Sequence, residues 1–130
     1  MDMKLELVPI PVTDVDRAKA FYAEQLGFVV DVDVYPADGV RVVQLTPPGS
    51  ACSIGLGTGL PAYTAPPGSI RALHLVVDDI EQARAELIDR GVDVGDVQDV
   101  GGGVQYAGFS DPDGNGWTLQ VMAWRTGDAF

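Results

Sequence analysis

The chain has 130 residues, enough for a core of its own without cross-links. Hydrophobic residues make up 46% of it, which excludes disorder, and Cys52 is its one cysteine, which excludes a disulfide framework or thiolate zinc cluster. A formal net charge of −11 disfavours nucleic acid, whose binding rests on neutralising phosphates, and would steer cations inward.

Met1 to Lys4 shows no basic and apolar leader, and no apolar run approaches a membrane span. The expectation is a cytoplasmic protein with no nucleic-acid or membrane partner. Lys4 to Val12 is apolar but carries two prolines, so it reads as a strand near a sheet edge. Asp14 is a good N-cap, and Val15, Ala18, Phe21, Tyr22 and Leu26 follow at helical spacing until Gly27 ends the helix. Phe28–Tyr35, Val40–Thr46 and Ala51–Gly57 read as strands separated by Pro- and Gly-containing turns. Residues 58–69, rich in Gly and Pro, form a linker.

The second half repeats the plan. Ile70–Val77 reads as a strand, and Asp79 with Gln82 suggests a capping box. Ile80, Ala83, Leu87 and Ile88 supply an apolar helix face before Gly91. Val92–Val97, Val104–Phe109 and Gly116–Trp124 complete the strands. Gly101 to Gly103 opens no helix, so it is a turn and not a phosphate cradle.

Residues 12–22 and 77–87 match at an offset of 65, half the chain. Internal repetition of this length is a fold signature. The expected fold class is α+β: two pseudo-symmetric βαβββ modules, about 4–57 and 70–124, in one domain spanning 1–130. Each helix covers one sheet face and leaves the other concave, so the pair should form a cleft or half-barrel. The offset makes Leu7 equivalent to Ala72, and Pro9 to His74.

Four segments carry a family resemblance: Pro-Val-Thr-Asp-Val-Asp-Arg-Ala-Lys-Ala-Phe-Tyr (11–22), Leu-Gly-Phe (26–28), Leu-His-Leu-Val-Val-Asp-Asp-Ile (73–80) and Ser-Asp-Pro-Asp-Gly-Asn-Gly-Trp (110–117). Their order and offset resemble the vicinal oxygen chelate superfamily of glyoxalases, bleomycin-resistance proteins and extradiol dioxygenases. Metal-dependent members place a His, Gln or Glu on the concave face of each of four strands. Carried over, those positions fall at Leu7, Ser53, Ala72 and Thr118, which are not a ligand set for a transition metal. The resemblance therefore implies no metal and no cofactor. It points to a small-molecule-binding protein similar to the antibiotic-sequestering resistance proteins, which act as homodimers on cationic or aromatic ligands. The alternative is a glyoxalase-like lyase, isomerase or dioxygenase with an atypical metal site.

His74, the one histidine, lies on the concave face, where an imidazole can hydrogen-bond a ligand or act as a base. Gln120 and Thr118 share a face of the last strand, and Gln44 lies in a central strand of module one. Leu7 and the amphipathic ring of Tyr106 complete the candidate ligand-binding set. Tyr35 and Tyr63 are candidates for a pocket rim. Trp117 has core parity, and Cys52 reads as a small buried hydrophobe. No catalytic residue stands out. The cleft floor is expected from Leu7, Pro9, Ala72, Val76 and Met122.

Overall fold

A computed structural model describes residues 1–125. Strands β1 (Leu7–Pro9), β2 (Val29–Ala37), β3 (Val40–Thr46) and β4 (Ser53–Thr58) form one sheet in the order β1-β4-β3-β2. Strands β5 (Leu73–Val76), β6 (Gln98–Gly101), β7 (Val104–Ser110) and β8 (Gly116–Met122) form a second in the order β5-β8-β7-β6. In each sheet the first and last strands pair parallel, and the others pair antiparallel. The crossovers are α1 (Val15–Ala20), which continues as a π-turn over Phe21–Gln25, and α2 (Ile80–Asp89). The fold is α+β, with two similar modules and no closed barrel.

The repeat is visible in backbone angles. Asp14 and Asp79 cap their helices at φ/ψ of −131/107° and −132/105°, and each side chain accepts a bond from the amide three residues on. Gly27 and Gly91 end the helical segments at φ of 79° and 87°, the left-handed conformation that favours glycine. Pro9 and Pro11 fall in and just after β1, an edge strand, where a missing N–H is tolerated.

Three expectations need correction. Val92–Val97 is not a strand. Val92 and Val94 do turn into the core, but the carbonyls of Val94 and Gly95 are taken by the Arg84 guanidinium, and β6 starts only at Gln98. Asp79 and Gln82 form no capping box: the Gln82 amide bonds Glu86 one turn along. A single offset of 65 also fails in the paired strands. Leu7 stands opposite Ser53, but His74, and not Ala72, stands opposite Thr118. The modules thus differ there by two residues, a shift that leaves each side chain on its face.

The core lies between the helices and the helix-covered sheet faces. It forms one cluster that includes Ile10, Ala18, Phe28, Leu45 and Leu56 from module one and Ile80, Leu87, Phe109, Trp117 and Leu119 from module two. Tyr22 joins the halves: its ring lies 5.7 Å from both Phe28 and Trp117. Residues of opposite parity on the strands face away from this core.

Candidate functional site

On module two, the face away from the helix carries His74 and Val76 from β5, Thr118, Gln120 and Met122 from β8, and Tyr106 and Gly108 from β7. Cross-strand pairing puts His74 beside Thr118, Thr118 beside Gly108, and Gln120 beside both Val76 and Tyr106. Four of the six expected ligand-binding residues, His74, Tyr106, Thr118 and Gln120, are therefore neighbours. The other two, Leu7 and Gln44, lie on the first sheet, opposite Ser53 and Gly55 respectively.

The imidazole of His74 is exposed and stands edge-on to Tyr106, with ring centroids 5.7 Å apart at 87°. Its Nδ1 lies 3.2 Å from the Ala72 carbonyl oxygen. A carbonyl can only accept, so Nδ1 is the donor in this contact, and Nε2 is the ring nitrogen it leaves unengaged. Ala72 itself precedes β5 and is exposed, so it contributes backbone to this site and not the floor expected of it.

Gly108 and Thr118 line two contiguous depressions, of about 530 and 360 Å³. Arg71, Asp93, Ser110 and Gly116 border the larger, and Gly95, Asp96, Gln98 and Tyr106 border the smaller. Both volumes fall within the range of small-molecule sites. By contrast, a crevice between the modules, lined by Leu26, Phe28, Leu75 and Leu87, measures about 200 Å³ and holds none of the expected polar groups.

The corresponding face of module one is filled by the chain itself. The linker turns through a short helix, Pro61–Tyr63, and lays the Tyr63 ring across Gly55 and Gly57. A Cβ on Gly57 would come within 2.5 Å of that ring, and one on Gly55 within 3.2 Å of its hydroxyl. Burial pushes the Tyr63 phenol pKa up. The Ser53 hydroxyl is committed to Thr46 at 2.7 Å. Tyr63 was therefore legible as an aromatic near a site, but it covers a face and does not rim an open one. Tyr35, also expected at a rim, is 71% exposed and stacks with Arg41.

Residues 4–119 match the sequence profile of the glyoxalase/bleomycin resistance protein/dioxygenase superfamily. The chain belongs to that superfamily. Among solved structures, it is 37% identical to TnmS3, an antibiotic binding protein from Streptomyces sp. CB03234, over 94% of this chain and 98% of that one, with a TM-score of 0.81. It is 40% identical to a glyoxalase/bleomycin resistance protein from the same strain, over 89% and 98% of the two chains, with a TM-score of 0.75. A superfamily member from Sphaerobacter thermophilus DSM 20745 is 31% identical over 92% and 98%, with a TM-score of 0.80. No curated protein matches the sequence.

The superfamily's metal chemistry needs a cluster of imidazole and carboxylate donors. Among the described residues no three His, Cys, Asp or Glu side chains are grouped to hold an ion. Around His74 the neighbours are a hydroxyl, an amide and a phenol, which do not fit a transition metal as a set. What they offer is recognition: two rings, an open glycine at 108 and a few hydrogen-bonding groups. Cys52 is half-buried, and burial followed by the nearby Glu6 carboxylate pushes its thiol pKa up, away from nucleophilic reactivity.

Proposed function

We propose that this superfamily member is a metal-independent small-molecule-binding protein that sequesters a flat, largely apolar compound on the open face of module two, as a homodimer in the cytoplasm. The observation that carries the reading is the groove over Gly108 and Thr118, bordered by Tyr106, whose ring meets His74 edge-on, and by polar groups suited to orienting a ligand. The 37% identity to an antibiotic binding protein supports a binding role. No helix among the described residues is long and apolar enough to cross a membrane.

Calorimetry against a panel of polycyclic aromatic compounds tests the reading. A compound that binds should lose roughly 1–3 kcal/mol with His74→Ala, because its bonded group is left buried and unpaired. Zinc, nickel, iron or manganese should leave the melting temperature unchanged, whereas a metal bound at a hundredfold excess over its Kd would add about 2.7 kcal/mol. A stoichiometric metal held through His74 would sink the proposal.

A further inference from the structure

The larger depression is bordered by both a guanidinium, Arg71, and a carboxylate, Asp93. Arg71 is exposed, borders the groove, and makes no side-chain hydrogen bond or ion pair with any described residue. Several other basic side chains are committed: Arg17 to Asp113, Lys19 to Asp33, Arg41 to Asp16 and Asp33, and Arg84 to Asp96. Arg90 has no carboxylate partner among the described residues either, but its guanidinium donates to the Gln25 carbonyl at 3.4 Å, whereas the Arg71 side chain bonds no described residue.

Its position is fixed by backbone. The Gly116 amide donates to the Ile70 carbonyl at 2.8 Å, and a Cβ on Gly116 would collide with the Arg71 carbonyl oxygen. Only glycine lets residue 71 lie so close against the start of β8. Gly108 keeps the adjoining floor free of side chains. The hydroxyls of Ser110 and Thr118, also bordering the groove, bond no described residue. The groove thus runs from Tyr106, in edge contact with the ring of His74, across glycine and threonine to a guanidinium.

Resting on the binding role proposed above, we infer that the ligand is an aromatic compound with an anionic or strongly hydrogen-bond-accepting group, a carboxylate, phenolate or conjugated carbonyl, received by Arg71. This departs from the cationic ligand that net charge alone suggests. Long-range repulsion is screened over about 8 Å at physiological salt, whereas a guanidinium grips an acceptor at contact and in bidentate fashion. Asp93, on the same depression, works against the anion.

The test uses three fluorescent probes of one shape: anthracene carboxylate, its carboxamide and its aminomethyl derivative. The native protein should bind the carboxylate about tenfold more tightly than the amine, with the amide between. Arg71→Gln should abolish that order, and Arg71→Lys should keep part of it. Asp93→Asn should tighten the carboxylate a few-fold, while His74→Ala and Tyr106→Ala should weaken all three probes alike. Preference for the amine, or a carboxylate preference that survives Arg71→Gln, overturns the inference and leaves the groove standing. Binding of none of the probes, or binding indifferent to His74→Ala and Tyr106→Ala, overturns the groove reading and the inference with it. Arg71 is exposed, so unchanged melting temperatures should show its variants folded.

Discussion

Tyr22 joins the modules at the scale of single atoms. Its hydroxyl donates to the Asp111 carboxylate at 2.7 Å and accepts from Trp117 Nε1 at 3.0 Å. Asp111, 5% exposed, also takes the Asn115 amide and the backbone amides of Asp113 and Asn115, so the buried carboxyl group is satisfied by hydrogen bonds. Tyr22→Phe would leave Trp117 Nε1 and part of Asp111 unsatisfied. Urea denaturation should show a loss of about 1–3 kcal/mol. Burial first, then the Asp111 charge, pushes the Tyr22 pKa far above the phenol range. The neutral phenol's contribution is therefore whole below the unfolded pKa of about 10 and is lost as pH rises above it. Tyr22→Phe should flatten the alkaline fall in stability by one titrating group. Little of this was legible in the sequence. Tyr22 fitted an apolar helix face and Asp111 a turn, and nothing local reports a bond across 89 positions. His74 was legible because one imidazole on a strand has a parity, and parity survives errors of two residues.

Elements were legible where hydrogen bonds are local. Both N-caps, both glycine ends and the strand content of 40–46 follow from nearby residues. Pairing depends on partners far away in sequence. The alternation of Val92 and Val94 gave the correct buried face but could not say that a helix side chain, Arg84, would take the carbonyls a strand neighbour should have taken. Arg84→Ala exposes that dependence. The Val94 and Gly95 carbonyls lose a charged donor, and the segment stays tied to β7 by the Gly95 amide alone among its backbone bonds. Stability should fall by about 1–2 kcal/mol, the range of a bond to a charged group with some solvent relief. Hydrogen exchange should rise in 92–97 before it rises in β8. Uniform exchange across both segments would mean that Arg84 is incidental.

At the scale of the whole molecule, the repeat makes two equal faces and the linker makes them unequal. Tyr63 closes the face of module one; glycine at 57 lets its ring lie there, and Gly55 sits close beneath its hydroxyl. No described residue covers module two in this way, so one chain should offer one ligand site even though its fold has two modules. Calorimetry with anthracene carboxamide should give one equivalent per chain, including in a dimer of twice the chain mass by sedimentation. Two mutations probe the cover from opposite sides. Gly57→Ala drives a methyl against the Tyr63 ring and the Arg41 carbonyl, and overpacking of this kind typically costs about 1–3 kcal/mol. Tyr63→Ala removes the cover and uncovers Leu7 and Gly55, with Gln44 beside them. Stoichiometry in that variant should rise toward two, the added site being weaker because it lacks the His74–Tyr106 pair. A native stoichiometry of two would show that Tyr63 yields to ligand, and that the two faces are as equal in use as they are in topology.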